Sequence, residues 1–216
     1  MLEKMDAFFE ARLMGYDEHM LTDIEGAQEF YPFTAGLLPD HPGVSLLDLG
    51  CGTGLELGYY FPRVPHAAVT GIDLSEGMLD ALRNKFPDKK LRLHHASYFD
   101  FPLEEDCYDA AVSVESLHHF TQAEKLPLYR KLCKTLKAGG FFVLTDYFAP
   151  DEPYENFYRQ ELLRMKAEQG IADAEFYHYD TPLTADHETE ALLLAGFSRV
   201  ECVRQWGCTK TLIAYK

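Results

Sequence analysis

Positive charge is scarce in this sequence: 20 Lys and Arg residues stand against 35 Asp and Glu residues in a chain of 216. The formal net charge at pH 7 is −15. Nucleic acids and anionic membranes are bound through clustered Lys and Arg side chains, so this balance disfavours both as partners. We therefore expect a small-molecule substrate, with no nucleic-acid or membrane partner.

Cysteine is sparse, and its spacing carries no pattern. The five cysteines are odd in number and include no Cys-x-x-Cys pair, which argues against a disulfide framework or a zinc site. Adjacent histidines occur at His94–His95 and His118–His119, but neither pair has the i, i+4 spacing of metal ligands on a helix. The sequence therefore predicts no bound metal and reduced thiols.

Long apolar runs are absent as well. Charged side chains interrupt the first 14 residues, so these do not form the apolar core of a signal peptide. No run approaches the roughly 20 apolar residues of a membrane-spanning helix. We therefore expect a cytoplasmic protein. The hydrophobic fraction of 47% and the chain length fit one globular domain, which we expect to span 1–216.

What the sequence contains is an alternation of short apolar runs and longer amphipathic ones, which is typical of a parallel sheet between helices. We predict an α/β fold of the Rossmann-like type, with seven mostly parallel strands, helices on both faces and the last strand antiparallel. Residues 1–40 are interpreted as an N-terminal helical cap. Residues 150–182 follow the fifth strand and are interpreted as an inserted lid, with a helix at 154–169 and an irregular loop after it. The predicted strands are 44–49, 67–72, 91–94, 108–114, 141–145, 197–203 and 209–215.

Three glycines follow the first predicted strand, at Gly50, Gly52 and Gly54. Glycine permits a tight turn and lets the backbone approach a ligand closely. Dinucleotide-binding folds use Gly-x-Gly-x-x-Gly, which would need a glycine at Leu55. Asp73 ends the second predicted strand, at the roughly 20-residue offset of an acid that binds ribose hydroxyls. A plain turn and a helix cap explain each feature alone, but the combination favours a nucleoside ligand other than NAD.

Four segments in order resemble the class I S-adenosylmethionine-dependent methyltransferases: LLDLGCGTG, VTGIDLSEGML, YDAAVSVESLHHF and LYRKLCKTLKAGGFFVLTDY. The resemblance implies that S-adenosylmethionine is the cofactor. It places Asp48 near the amino acid portion of the cofactor and Asp73 at its ribose. The family commonly has Asp where this chain has Ser97. The implied cofactor-binding residues are Tyr16, Asp48, Gly50, Cys51, Gly52, Gly54, Asp73, Leu74, Met78, Ser97, Tyr98, Glu115 and Ser116.

The segment ARLMGYDEHM resembles the N-terminal segment that closes over the cofactor in small members of this family. Tyr16 would hydrogen-bond near the cofactor, and Arg12 would pair with its carboxylate. The alternatives are that Tyr16 packs between helices and that Arg12 lies on the surface.

A general base is needed only if the methyl acceptor loses a proton as it attacks. His119 is our first choice, because it follows the fourth strand at the sheet edge where open α/β folds bind ligands. Adjacent histidines also serve simply as hydrogen-bonding loop residues. The other candidates are His118, Asp146, Tyr147 and His178.

Other functions remain open at this point. The protein could be a non-catalytic S-adenosylmethionine-binding protein or an NAD-dependent oxidoreductase. The aromatic side chains of the predicted lid suit a planar or apolar acceptor, although they could equally pack the lid onto the body. The acceptor and the oligomeric state are not predicted. The lid aromatics are Tyr154, Phe157, Tyr158, Phe176, Tyr177 and Tyr179.

Overall fold

A computed structural model describes residues 1–171 and 175–216. A sheet of seven strands, in the order β4-β3-β2-β5-β6-β9-β8, forms its centre, and a two-stranded ribbon pairs β1 with β7. The strands are β1 (Glu3–Lys4), β2 (Ser45–Leu49), β3 (Ala68–Asp73), β4 (Lys90–His95), β5 (Tyr108–Val114), β6 (Leu136–Tyr147), β7 (Tyr177–His178), β8 (Arg199–Trp206) and β9 (Thr209–Tyr215).

Helices connect the strands and begin where the sequence supplies caps. The Ser75 hydroxyl accepts a hydrogen bond from Met78 N, and Thr121 forms a capping box with Glu124. The helices are α1 (Met5–Arg12), α2 (Tyr16–Asp23), α3 (Ala27–Leu37), α4 (Leu55–Tyr60), α5 (Glu76–Lys85), α6 (Gln122–Thr135), α7 (Glu152–Gln169) and α8 (Ala185–Ala195).

The predicted Rossmann-like sheet is confirmed. Strands β2 to β6 run parallel to one another, and β9 is antiparallel to both β6 and β8. Leu46 packs into a core cluster with α3, α4 and α5, whereas Leu47 packs into a second cluster with α6 and α8. Because successive strand residues point to opposite faces, the helices cover both faces of the sheet.

The first residues of β6 differ from the prediction, which placed Lys137–Gly140 at a helix end. The helix ends at Thr135, and Leu136 already pairs with Tyr108 across the sheet. The register then shifts, so that Phe141 pairs with Ala110. Lys137–Gly140 therefore form a bulge, which Gly139 permits with a φ of 77°.

The ribbon of β1 and β7 was not predicted. Glu3 pairs with His178 and Lys4 with Tyr177, and Met5 N donates to Phe176 O at 3.2 Å. The N-terminus is thus attached to the end of the segment predicted as a lid. Residues 172–174 of that predicted lid lie outside the described residues. In the part of the chain that the structure describes, no helix has the length and apolarity needed to cross a membrane.

Candidate active site

The glycine loop joins β2 to α4 at the carboxyl end of the sheet. Gly50, Gly52 and Gly54 all have positive φ, at 67°, 47° and 72°, a conformation that favours glycine. A Cβ on Gly50 would collide with the Ser116 side chain, whereas a Cβ on Gly52 would meet no described atom within 4 Å. Gly50 therefore allows close packing, and Gly52 borders open space that a ligand could fill.

Asp73 lies across this loop, where β3 ends. Its carboxylate accepts hydrogen bonds from Gly52 N at 2.8 Å and from Ser75 N at 2.9 Å. Burial raises the pKa of Asp73, and the N–H groups of Ser75 and Gly52 oppose that rise. A carboxylate offers about four acceptor positions. Asp73 can therefore brace the loop and still accept hydrogen bonds from two ribose hydroxyls.

Asp48 and Glu56 form a buried carboxyl pair beneath the loop, with 1% and 4% of their surface exposed. Burial, and then the neighbouring Glu56, raise the pKa of Asp48 well above its ordinary value. Asp48 Oδ2 and Glu56 Oε1 have no hydrogen-bond partner among residues 1–171 and 175–216. Unpaired buried carboxyl oxygens suit a cationic group, so the pair fits the ammonium of the methionine portion of S-adenosylmethionine.

A narrow space of about 50 Å³, the glycine-loop cleft, runs beside these residues. Ligand sites usually measure about 300–1,000 Å³. Met5 and Phe9 of α1 and Tyr16 of α2 line the cleft, so these two helices cover it. The other lining residues are Gly50, Gly52, Asp73, Leu74, Met78, Tyr98, Val114, Glu115, Ser116 and His119.

Four predicted cofactor residues do not line this cleft. Asp48 lies below it, as described above. The Cys51 side chain points toward Gly71 in the core, and Gly54 lies against Leu82. Ser97 caps its own loop, because its hydroxyl accepts from Phe99 N at 3.2 Å.

Of the two residues that the N-terminal segment was predicted to bring to the cofactor, the structure places only one at the cleft. Tyr16 lines the cleft, as expected of a residue near the cofactor. Arg12 instead pairs with Glu3 at 3.2 Å, and its guanidinium lies 3.6 Å from the centre of the Phe8 ring. The structure therefore places Arg12 in a surface contact.

A second and larger space, the large cavity, has a volume of about 800 Å³. Phe9, Tyr16, Glu115 and His119 line both spaces and form what we call the junction. The other residues around the large cavity are Phe8, Ala11, Arg12, Met14, Gly15, His19, Met20, Asp23, Ile24, Glu25, His118, Tyr147, His178, Asp180, Trp206, Cys208 and Thr209.

Buried charged groups surround the junction. The His118 Nδ1 proton is donated to Asp146 Oδ1 at 2.6 Å, and Asp146 Oδ2 accepts from Leu117 N at 2.9 Å. Burial disfavours the charged His118 ring, but Asp146, Asp180 and Glu115 together raise its pKa to about 9. Burial, and then the charge on Asp146, raise the pKa of Glu115 to about 8.

His119, the predicted base, lies at the junction with only 6% of its surface exposed. Burial and the neighbouring His118 lower the pKa of His119 to about 4, so its ring is neutral at neutral pH. General bases work best with a pKa near the operating pH. The geometry brings His119 to the expected place, but as a weak base, and its catalytic role stays a prediction.

Sequence reasoning missed several residues of the site. Glu56 could have been found, because it lies in the first helical turn after the glycine loop. Met5 and Phe9 lie in the segment 1–40, which was interpreted only as a helical cap. Asp180 had no signal, since it is far in sequence from His118 and no spacing rule connects them.

Comparison with known proteins finds methyltransferases and other S-adenosylmethionine-related proteins that this chain is similar to. A profile described as a methyltransferase domain matches residues 46–140. The carboxy-S-adenosyl-L-methionine synthase of Campylobacter fetus is 26% identical over 81% of this chain and 78% of its own length. The biotin biosynthesis bifunctional protein BioHC of Teredinibacter turnerae is 27% identical over 70% of this chain, which spans only 30% of that relative.

A solved structure extends the likeness in fold. The methyltransferase in complex with the Trm112 activator of Haloferax volcanii superposes with a TM-score of 0.68 at 15% identity, covering 100% of this chain and 99% of that one. The fold, the glycine loop and the profile together support a class I S-adenosylmethionine-dependent methyltransferase. Its cofactor is S-adenosylmethionine.

Proposed function

We propose that the protein transfers the methyl group of S-adenosylmethionine to a small molecule bound in the large cavity. The observation that carries this proposal is the junction, where Phe9, Tyr16, Glu115 and His119 line both the cleft and the cavity. An acceptor in the large cavity would meet the methyl group there. Holding both reactants in line supplies much of the rate of such a displacement.

The residues beside the cleft fit the parts of the cofactor. Asp73 would accept hydrogen bonds from the ribose, and Leu74 and Met78 would flank the adenine. The Asp48–Glu56 pair would bind the ammonium. S-adenosylmethionine supplies a methyl group on a positively charged sulfur. The acceptor's lone pair would form the new bond to that carbon while the carbon–sulfur bond breaks and sulfur keeps the electron pair.

The walls of the large cavity indicate the class of acceptor. Phe8, Phe9, Tyr147 and Trp206 offer apolar surface to a planar or apolar molecule. The carboxyl side chains in its lining are Asp23, Glu25, Glu115 and Asp180, and Arg12 is the one Lys or Arg among the described lining residues. This charge balance favours a neutral or cationic acceptor over a phosphorylated one.

The predicted lid contributes to this cavity mainly through its end. His178 and Asp180 line the cavity, whereas Phe157 of α7 is 60% exposed to solvent. Tyr154 contacts the wall from outside, through a hydrogen bond of 2.7 Å between its hydroxyl and that of Tyr147. We therefore propose that residues 176–182, rather than α7, form the part of this segment that contacts the acceptor.

The first test is calorimetric titration of the protein with S-adenosylmethionine, S-adenosylhomocysteine and NAD. We expect binding of the first two only. Asp73→Asn should weaken that binding by about 1.5–3 kcal/mol, because it removes charge-assisted hydrogen bonds to the ribose. Asp109→Asn is the control, since Asp109 accepts from Ser45 N at 2.8 Å, where β2 begins and thus at the opposite end of that strand from the loop.

The second test is turnover with a panel of neutral and cationic aromatic acceptors, followed by mass spectrometry of both products. Appearance of S-adenosylhomocysteine with a methylated acceptor supports the proposal. A cofactor product heavier than S-adenosylmethionine would show instead that the cofactor itself is modified. Binding without turnover of any acceptor would favour the non-catalytic alternative, and binding of NAD alone would overturn the methyltransferase proposal.

A further inference from the structure

Two histidines and an aspartate converge where the large cavity meets the junction. His118, His119 and Asp180 each offer one ligand atom that lies within 4.8 Å of the other two, and we call these residues the junction triad. Asp180 Oδ1 is 3.1 Å from His119 Nδ1 and 3.5 Å from His118 Nε2. Both histidine side chains are at least nine-tenths buried. Three potential ligand atoms are thus presented together inside the protein.

Two of these atoms lack the partner that a buried polar atom needs. His119 Nδ1 and Asp180 Oδ1 are both buried, and neither makes a hydrogen bond to any part of the chain that the structure describes. They are close together, but they are not oriented to hydrogen-bond each other. Buried polar groups without partners are rare in native proteins and call for an unseen ion or water.

The distances within the triad suit a metal ion. Imidazole nitrogen and carboxylate oxygen bind Zn²⁺ at about 2.0–2.2 Å. Two ligand atoms at that distance lie about 3.0 Å apart at a right angle and about 3.4 Å apart at a tetrahedral angle. The 3.1 Å and 3.5 Å separations fall close to these values.

The surroundings of His118 add an independent indication. Histidines that bind metals almost always donate the proton of their other ring nitrogen to a carboxylate or carbonyl. His118 Nδ1 donates to Asp146 Oδ1 at 2.6 Å, so Nε2 is the ring nitrogen that can bind a metal, which displaces the proton from it. Asp146 is held in turn by Leu117 N at 2.9 Å. The same hydrogen bond holds His118 and Asp146 together in a second cluster with Glu115.

We propose that His118 Nε2, His119 Nδ1 and Asp180 Oδ1 bind one divalent transition-metal ion, with its remaining coordination positions facing the large cavity. Two imidazoles and one carboxylate with open positions form a recurrent site for such ions. This reverses the expectation from the sequence that no metal binds. Spacing rules could not find the site, because the fold brings Asp180 to the histidines from a distant part of the chain.

The role of this ion rests on the proposed function. An acceptor hydroxyl bound to the ion would become more acidic and release its proton to water in the open cavity. Its oxygen would then attack the methyl carbon as the carbon–sulfur bond breaks, and sulfur would keep the bonding pair. His119 would in this case hold the ion rather than accept a proton.

The test is titration of the metal-free protein with Co²⁺ and Zn²⁺, without cofactor or acceptor. We expect one equivalent of Co²⁺ to bind with visible d–d absorption and Zn²⁺ to displace it. Asp180→Asn and His119→Gln should each weaken binding at least tenfold, and Asp146→Asn by about 10–100-fold. Asp23→Asn and His19→Gln are matched controls, because both residues line the same cavity outside the triad, and they should bind as the parent does.

Three results would overturn the proposal: no stoichiometric binding by the parent protein, unchanged affinity in both triad variants, or equal losses in the controls. A sulfur-to-cobalt absorption band would also overturn it, because it would assign the ion to Cys208 in the cavity wall. Circular dichroism of each variant checks that it is folded. Since this titration requires no S-adenosylmethionine, its failure is distinguishable from failure of the proposed function.

Discussion

At the scale of single residues, the buried Asp48–Glu56 pair is suited to binding a cationic ligand, but its ionisation lowers the stability of the ligand-free protein. Burial and the nearby Glu56 carboxyl raise the pKa of Asp48 in the folded protein. Its unfolded value is about 3.9, so folding favours the protonated form. The resulting stabilisation is complete below the unfolded pKa and is lost as the pH rises through the folded pKa. The ligand-free protein should therefore lose stability toward alkaline pH.

Asp48→Asn should reduce this loss, because the amide stays neutral and can donate to Glu56. Between about pH 5 and about pH 9, we expect the Tm of the variant to fall less than that of the parent. The difference should be about 2–4 °C, which corresponds to roughly 1 kcal/mol in the free energy of unfolding. Calorimetric scans without ligand measure the difference. The same variant should bind S-adenosylmethionine more weakly, because one carboxylate no longer faces the ammonium.

Asp109→Asn provides a control, because the pKa of Asp109 is shifted in the opposite direction to that of Asp48. Burial alone would raise the pKa of Asp109, but its ion pair with Lys137 and the Ser45 N–H lower it below the ordinary value. Asp109 therefore stabilises the protein above its unfolded pKa, and this contribution is lost as the pH falls through its folded pKa. Parallel pH profiles for the parent and Asp48→Asn would mean that Asp48 is not protonated in the folded state.

Gly52 allows the space beside the loop to be tested with a single methyl group. Gly52→Ala places a Cβ where the described structure leaves room, so it should cost cofactor affinity by occupying the ligand's place. Gly43 is the matched control, because it also has positive φ and open surroundings among the described residues. Both variants carry a similar backbone strain of roughly 1 kcal/mol.

Titration with S-adenosylhomocysteine should separate these two glycine variants. We expect Gly52→Ala to bind at least tenfold more weakly and Gly43→Ala to bind as the parent does, with similar losses of Tm in both. If the two variants bind equally well, the open space beside Gly52 is not where the cofactor lies.

At the scale of elements, the sequence predicted those helices and strands that have a periodic apolar pattern or a local capping signal. The seven strands and the helices between them were recoverable, because apolar runs and capping residues such as Ser75 and Thr121 are local signals. The ribbon of β1 and β7 was not, since two-residue strands have no period. The bulge at Lys137–Gly140 was also missed, because Gly-Gly after a helix is equally compatible with a helix end.

The candidate site likewise combines residues that local patterns could predict with residues that only the tertiary fold brings together. The glycine loop and Asp73 could be predicted, because a strand, a turn and an acid follow at fixed offsets. The junction triad could not, since His118 and Asp180 meet only through the tertiary fold. Cys51 and Gly54 were predicted at the cofactor through their backbone, and this stays a prediction; the Cys51 side chain packs toward Gly71, and Gly54 lies against Leu82.

Helices α1 and α2 should change their dynamics when the cofactor binds. The glycine-loop cleft holds only about 50 Å³ while Met5, Phe9 and Tyr16 line it, so these residues must move to admit a ligand. We expect the amides of residues 5–23 to exchange faster than those of α6 in the free protein and to become protected with S-adenosylhomocysteine. Hydrogen exchange followed by mass spectrometry measures both.

The amides of α6 serve as the internal reference, because Leu128, Tyr129 and Leu132 anchor that helix in the core. Exchange in α1 and α2 that is slow in the free protein and unchanged by the ligand would contradict this view. The cofactor would then need another route into the cleft.

At the scale of the whole molecule, the net charge of −15 and the lining of the large cavity both disfavour negatively charged partners. The acidic surface disfavours polyanions, and the carboxylates in the large cavity disfavour phosphorylated acceptors. The distribution of charge therefore acts as a filter at both levels. Under the proposed function, it would admit neutral or cationic molecules that are small enough for a cavity of about 800 Å³.

The ribbon of β1 and β7 connects helix α1, which covers the glycine-loop cleft, to the segment with His178 that lines the large cavity. Glu3 pairs with His178, and the rings of Phe8 and His178 stack with their centres 3.4 Å apart. The helix that covers the cleft is thus fastened to the wall of the large cavity, two residues from Asp180. An opening wide enough to exchange the cofactor would also loosen the acceptor's side, so that loading and release become one gated, kinetically ordered event.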